Sequence, residues 1–167
     1  LLRNPEFSLE RLVIYTTRPI RDGELDGREY HFVTEEDFQK LKAEGKIIED
    51  RGYETVYGLW RYFTADNMNL EEKSYLGIGT LESYEKLKAY YGEEKIRPIY
   101  IEVEDGERLK RAIAREETQE APKYEEMCRR FLADAQDFSE EKIRQAGISH
   151  RFSNMDGAEA TLRLKSI

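Results

Sequence analysis

Short apolar segments alternate with helical segments along this sequence, which restricts the folds that it can adopt. The helical pattern is clearest at 34–45, where Phe38 and Leu41 fall at helical spacing, Thr34 can cap the start and Gly45 can close the end. Strands separated by helices favour an α/β sheet over an all-α or all-β fold. The pattern predicts strands at 12–15, 47–52, 55–57, 75–79, 97–103 and 150–153, and helices at 34–45, 81–91, 106–117, 122–135 and 157–164.

Composition narrows the class of protein further. The 167 residues are 39% hydrophobic and 37% charged, which suits one domain with a real core and a densely charged surface. The net charge of −8 argues against a nucleic-acid partner, because binding a phosphate backbone needs a surplus of cations. A single cysteine, Cys128, excludes an internal disulfide and a cysteine-based zinc site and fits a cytoplasmic protein. No segment approaches the ~20 apolar residues of a membrane span.

The first residues are typical of a helix end followed by a proline turn. They read Leu1-Leu2-Arg3-Asn4-Pro5, without an initial methionine. We therefore expect a strand and most of a helix to precede Leu1 in the natural protein.

The polar segment between Tyr15 and Val33 is the most specific feature of the chain. Arg18 and Arg21 stand three residues apart, and Tyr30 follows. Two guanidinium groups and a phenol hydroxyl can surround one phosphate with charge-assisted hydrogen bonds, whereas most arginine-rich loops are simply solvated. Both interpretations are open from these residues alone.

This segment, Y-T-T-R-P-I-R-D-G-E-L-D-G-R-E-Y-H-F-V, resembles the signature of guanylate kinases, in which T-T-R-x-x-R-x-G-E precedes D-G-x-x-Y-x-F. The resemblance implies a P-loop nucleoside monophosphate kinase-like parallel sheet flanked by helices, with a small mixed β insertion that binds GMP and a helical lid. It divides a single domain into a core (1–14, 75–106 and 138–167), a GMP-binding subdomain (15–74) and a lid (107–137).

The same resemblance assigns roles to individual residues. Arg18, Arg21 and Tyr30, together with Tyr57 of Tyr57-Gly58, correspond to the groups that hold the phosphate of GMP. Glu49 corresponds to the carboxylate that accepts hydrogen bonds from N1 and the 2-amino group of guanine, a fitting acceptor for two adjacent donors. Taken alone, Glu49 reads as a surface residue and Tyr57 as a packing residue of a strand.

Arginines in the later half resemble the catalytic groups of the family. Arg111 and Arg115, four residues apart on one helix face, correspond to lid arginines that reach over ATP. Arg130 corresponds to the arginine that contacts the transferring phosphate, where spread negative charge needs cations. Asn154 lies in a weaker match to the adenine region. The alternative for the lid arginines is a helix with i,i+4 ion pairs.

Several departures from the family pattern accompany these matches. No G-x-x-x-x-G-K-[ST] occurs in the 167 residues, so the groups that would hold the phosphates of ATP and place Mg²⁺ are expected before Leu1. Gly77 and Gly79 replace two carboxylates, and Ile14 and Leu59 replace polar residues. We therefore expect weaker selectivity for guanine than in ordinary members of the family.

Three functions remain open from the sequence. The first is an enzyme that uses ATP and Mg²⁺ to phosphorylate GMP. The second is a guanylate-kinase-like binding module that holds a phosphorylated ligand or peptide in the GMP site, and the third is a degenerate paralogue with a structural role. The chain exactly as it stands, without a P-loop, is expected to be inactive as a kinase.

Overall fold

The computed structural model describes residues 2, 5–55 and 58–154, and these form strands and helices in an α/β order. The chain divides into two compact units, Leu1–Ile96 and Arg97–Ile167. The first contains β1 (Leu9–Arg11), β2 (Tyr15–Thr16), β3 (His31–Phe32), α1 (Glu35–Ala43), β4 (Ile47–Thr55), β5 (Gly58–Ala65), β6 (Ser74–Leu76) and α2 (Leu81–Tyr91). The second contains β7 (Tyr100–Glu102), α3 (Asp105–Glu117), α4 (Tyr124–Asp137), α5 (Glu140–Gln145) and β8 (Arg151–Ser153).

A four-stranded mixed sheet forms the centre of the first unit, with the strand order β3-β2-β5-β4. β4 and β5 form an antiparallel hairpin, and β2 pairs antiparallel with β5 and parallel with β3. One face of this sheet packs on α1, where Phe38 and Phe63 are fully buried with their ring centroids 5.0 Å apart. This apolar contact leaves the opposite face of the sheet for polar groups.

Helix α1 begins at a complete capping box. The Thr34 hydroxyl accepts a hydrogen bond from the Asp37 amide, and the Asp37 carboxylate accepts one from the Thr34 amide. These contacts satisfy two helix-terminal donors, and Glu35 and Glu36 add negative charge at the positive end of the dipole. The helix therefore begins where the sequence pattern places it.

Replacing Thr34 by alanine should lower the free energy of unfolding by about 1 kcal/mol, because the Asp37 amide loses its side-chain acceptor. Urea denaturation followed by circular dichroism measures the change. Thr34→Ser keeps the acceptor oxygen and should remain within about 0.5 kcal/mol of the original chain. Equal losses in both variants would contradict a capping role.

Parallel strand pairs occur in both units, as expected for the predicted α/β class. β1 pairs with β6, and β7 pairs with β8. In the second unit α3 packs on α4, with the Arg108 guanidinium 4.8 Å from the ring centroid of Phe131. The predicted division into core, GMP-binding subdomain and lid stays a prediction.

Some predicted strands and helices differ from the structure. The strand predicted at 12–15 was wrong: after the Leu12 amide donates to the Leu76 carbonyl, the chain leaves β1 and joins the mixed sheet at Tyr15. The strand predicted at 47–52 continues to Thr55, because β4 pairs with β5 as far as the Thr55–Gly58 pair. The rest of the strand predicted at 55–57 lies outside the described residues. Helix α5 was missed because six residues give little periodic signal. The helix predicted at 157–164 lies outside the described residues.

Candidate functional site

The polar face of the mixed sheet collects most of the predicted GMP-binding groups. On β5, Tyr62 lies opposite both Thr16 of β2 and Arg51 of β4, while Thr64 lies opposite Glu49. Because side chains alternate along a strand, these residues point away from the face that packs on α1. We call this surface the polar sheet face.

A β-bulge explains why Glu49 lies on the polar sheet face. Ile47 pairs with Ala65 and contacts the apolar core, but Glu49 pairs with Thr64, so the register shifts between them. In a regular strand, residues two apart would share a face, and Glu49 would then point into the core. The extra residue, Ile48, turns the carboxylate to the other side.

Two threonines of the signature fix the start of the loop that carries the arginines. The Thr16 hydroxyl donates to the Arg61 carbonyl at 2.8 Å and accepts from the Arg18 amide at 3.1 Å. The Thr17 hydroxyl accepts from the Arg61 amide at 2.9 Å. The loop thus leaves β2 in a direction set by β5, which places Arg18 next to the polar sheet face.

Arg18 is almost completely buried, with 4% of its surface exposed, and is held by Glu24. Its Nη1 and Nη2 donate to the two carboxylate oxygens at 3.0 and 2.8 Å, and Nη1 also donates to the Pro19 carbonyl. The hydrogen bonds that Arg18 donates to Glu24 raise the pKa of Arg18 and lower the pKa of Glu24. Arg18 is therefore a fixed cation that already has an anionic partner.

The other predicted phosphate ligands are placed differently. Arg21 is exposed; its backbone amide donates to Glu24, and among the described residues no hydrogen bond or ion pair involves its side chain. The Tyr30 ring lies 5.5 Å from the Arg18 guanidinium and 5.6 Å from the Tyr62 ring. The structure thus brings Arg18 and Tyr30 together. Tyr57 lies outside the described residues.

Glu49 is a buried carboxylate with one oxygen unused. Its Oε1 accepts a hydrogen bond from the Thr64 hydroxyl at 2.8 Å. Its Oε2 lies 3.4 Å from Nε of Arg51, yet neither of these two buried atoms makes a hydrogen bond. The pair is close enough for an ion pair but is misaligned for a hydrogen bond, so an acceptor and a donor remain available side by side.

The two glycines that replace family carboxylates stand where side chains fit poorly. A Cβ at Gly77 would lie 2.9 Å from the Leu12 side chain, and a Cβ at Gly79 would lie 3.3 Å from Ser83. Leu59, at another departure from the family pattern, is exposed and lies against Gly52. Ile14 is half-buried. A side chain at position 77 would therefore require the Leu12 side chain to shift.

The predicted catalytic residues lie in the second unit. Arg111 is paired with Glu107 at 2.7 Å and donates to the Asn154 carbonyl at 3.3 Å, so these two predicted residues are neighbours. Arg115 is exposed on the same helix.

Arg130 is 61% exposed and pairs with Glu126 at 3.2 Å. The i,i+4 pairing weighed in the sequence is present at both Arg111 and Arg130, and both cations keep exposed side chains. Their contribution to catalysis stays a prediction.

The described residues do not fit a metal site or an ATP-phosphate site. Among residues 2, 5–55 and 58–154, no three His, Cys, Asp or Glu side chains are grouped to hold a metal ion. The 167 residues contain no P-loop sequence either. Within the same described part of the chain, every helix is too short or too polar to cross a membrane.

Three residues of the site were not assigned by the sequence. Glu24 was part of the signature but had no role, although its spacing of six from Arg18 allows a turn to join them. Arg51 and Tyr62 had no signal beyond strand alternation, which places Arg51 on the same face as Glu49.

Mixed and parallel strand pairs flanked by helices, with an arginine loop beside a buried carboxylate, define a nucleoside monophosphate kinase-like protein. A family model described as guanylate kinase matches residues 1–143. The chain therefore belongs to the guanylate kinase family.

Individual relatives agree with this assignment. The chain is 40% identical over 78 residues to a guanylate kinase of Vibrio parahaemolyticus, and 31% identical over 130 residues to one of Wolbachia pipientis wMel. The alignments cover 47% and 77% of this chain, but only 35% and 62% of those relatives. The chain thus matches about one third to three fifths of their length.

A solved structure supports the fold. The chain resembles the crystal structure of guanylate kinase from Anaplasma phagocytophilum with a TM-score of 0.63 and 23% sequence identity. The match covers 95% of this chain and 73% of that chain. At this level of identity the likeness concerns the fold alone.

Proposed function

We propose that this protein is a guanylate kinase-type phosphotransferase, which converts ATP and GMP to ADP and GDP, and that this chain supplies the acceptor side of the site. The polar sheet face carries the proposal. Buried Arg18 and Tyr30 lie beside Tyr62, and buried Glu49 lies beside Thr64 further along the same strand. Cationic and carboxylate groups are thus separated along one surface, as the phosphate and the base are in GMP.

The roles proposed for these residues follow from their chemistry. Arg18, Arg21, Tyr30 and Tyr57 would donate hydrogen bonds to the phosphate, and bidentate guanidinium groups suit its oxygens. Glu49 would accept from N1 and the 2-amino group of guanine, since Oε2 has no hydrogen-bond partner. Arg111, Arg115 and Arg130 would neutralise charge on the transferring group, and Asn154 would lie near the adenine.

ATP and Mg²⁺ belong to the proposal only together with a P-loop. Among the described residues no three His, Cys, Asp or Glu side chains are grouped to hold a metal ion, and the 167 residues contain no P-loop sequence. The P-loop is expected before Leu1. A cytoplasmic location, and the absence of nucleic-acid and membrane partners, also stay predictions, and the oligomeric state is open.

One observation favours the alternative of a binding module. Position 77, where the family pattern places a carboxylate near guanine and the metal, is a glycine in this chain. A domain that only holds a phosphorylated ligand or peptide does not need that group. This alternative uses the same arginines, so phosphate binding alone does not separate it from the enzyme.

Isothermal titration calorimetry with GMP, guanosine and AMP tests the proposed acceptor site. We expect GMP to bind with a Kd between about 1 µM and 1 mM, and guanosine at least about tenfold more weakly, because it lacks the phosphate. Equal binding of GMP and guanosine, or no binding of either, would contradict the phosphate site.

Glu49→Gln should remove the preference for GMP over AMP, because the amide places a donor against the donor edge of guanine. A variant that keeps the preference would exclude Glu49 as the base-binding group. A phosphotyrosine peptide or phosphoserine peptide that binds more tightly than GMP would favour the binding module.

A further inference from the structure

Arg51 lies beside the proposed base-binding carboxylate. Nε of Arg51 and Oε2 of Glu49 are 3.4 Å apart, both atoms are buried, and neither makes a hydrogen bond. The Arg51 side chain is 22% exposed and the Glu49 side chain only 1%. An unused donor therefore stands next to an unused acceptor, with the arginine as the member of the pair that reaches solvent.

The other cation near Glu49, Lys86, already forms an ion pair with a different carboxylate. Lys86 of α2 pairs with Glu82 at 2.7 Å, and this hydrogen bond is the main cause of the raised pKa of Lys86, with smaller contributions from Glu49 and Asp50. Among the described residues, Arg51 is the cation that contacts Oε2 of Glu49 directly.

Oε1 and Oε2 of Glu49 and Nε of Arg51 follow one another in that order along the ion pair. Oε1 of Glu49 already accepts from Thr64 and has a second lone pair, Oε2 is free to accept, and Nε of Arg51 is free to donate. This order, acceptor–acceptor–donor, complements a ligand edge with the order donor–donor–acceptor. Guanine has that edge in its 2-amino group, N1–H and O6.

We propose that Arg51 is a specificity-determining residue that donates a hydrogen bond to the 6-oxo group of the bound purine, while Glu49 accepts from N1 and the 2-amino group. This inference rests on the proposed function, since it names a further contact in the same acceptor site. It also supplies a donor near the base where Ile14, Leu59 and Gly79 provide none. The Arg51 donor should therefore offset part of the loss of guanine selectivity that is expected from these three replacements.

Other purines fit this order less well. Adenine presents an amino donor at position 6, where Arg51 also donates, and xanthine presents a second oxygen at position 2, where Glu49 offers only an acceptor. A buried donor or acceptor that finds no partner in the ligand lowers the affinity, because it loses its hydrogen bonds to water and gains none in return. The pair therefore selects a 6-oxo, 2-amino purine.

The test compares GMP with 6-thio-GMP, in which a weaker sulfur acceptor replaces O6 and both donors remain. Calorimetry on the unmodified chain should show GMP binding about tenfold more tightly, as expected for a hydrogen bond to a charged group. In Arg51→Met the two ligands should bind equally within about twofold. Arg51→Lys, which keeps a charged donor, should restore part of the preference.

The control is Arg11→Met, which removes the same charge from an exposed position on β1 and should keep the preference intact. If Arg51 only positioned Glu49, Arg51→Met would weaken both ligands equally and leave their ratio unchanged, and that result overturns the proposal. Should Arg51→Met fail to fold, the unmodified chain still decides: tight and equal binding of GMP and 6-thio-GMP also overturns it. Failure of GMP itself to bind would instead contradict the proposed acceptor site.

Discussion

Replacing Arg130 by alanine should lower kcat for GMP phosphorylation by about a thousandfold or more, measured in a longer form of the chain that carries a P-loop. Little covalent chemistry is left to the protein in phosphoryl transfer, so cations that meet the developing charge supply much of the rate. Arg130 is suited to this because its side chain is 61% exposed and its ion pair with Glu126 is a surface pair that costs little to break. The KM for GMP should change little, since the contact forms mainly in the transition state.

Arg129 provides a matched control for this experiment. It precedes Arg130 on α4, is equally exposed and donates to both oxygens of the same Glu126. Arg129→Ala should keep kcat within about threefold, because it removes a surface ion pair alone. A similar loss in both variants would indicate that the helix, rather than Arg130, was damaged. Rapid GMP phosphorylation by residues 1–167 alone would contradict the need for a P-loop.

Replacing Arg18 by alanine should weaken GMP binding by about 10- to 100-fold, the range for losing hydrogen bonds to a charged group. Arg18 lies beside the rings of Tyr30 and Phe32, whose centroids are 5.5 and 5.4 Å from its guanidinium carbon, and its fork of donors is held by Glu24. Arg18→Lys should recover little, because an ammonium group lacks the planar, bidentate geometry. Calorimetry with GMP measures both variants.

Arg28 is the matched control for Arg18. It lies in the same loop, but its side chain is exposed and pairs with Glu29 at 2.6 Å. Arg28→Ala should leave the affinity for GMP within about twofold, because a surface pair contributes little. If Arg28→Ala and Arg18→Ala weaken GMP binding equally, the loss of affinity comes from the reduced positive charge of the loop and not from a specific contact of Arg18. A phosphate held by Arg18 would then be excluded.

Local signals made much of this fold predictable from the sequence. Helices α1 and α2 were predicted within two residues of their observed ends because threonines at 34 and 80 cap them and apolar residues recur at helical spacing. The motif around Arg18 is long and fixed in spacing, and the phosphate-binding role that it predicts for this loop stays a prediction. The confirmed family and fold followed from that motif.

Non-local pairing explains what the sequence did not predict. The direction of Glu49 depends on a bulge that exists only when β4 pairs with β5, and the contact between Glu49 and Arg51 depends on that direction. Likewise, the side chain that a Cβ at position 77 would meet is that of Leu12, 65 residues earlier in the chain. Such contacts are fixed by tertiary packing, which local patterns do not encode.

The Glu24 carboxylate already pairs with the Arg18 guanidinium in this structure. Glu24 serves as a built-in counter-ion, so the buried guanidinium is not left uncompensated before a ligand arrives. If Arg18 holds phosphate as proposed, binding is an exchange of anions, in which the phosphate displaces Glu24 or shares the arginine with it. A chloride ion, with one charge and no bidentate geometry, is a poor competitor, whereas a phosphate dianion has both the charge and the shape. In the proposed site, Glu24 would therefore compete with any incoming anion and favour one with the charge and shape of phosphate.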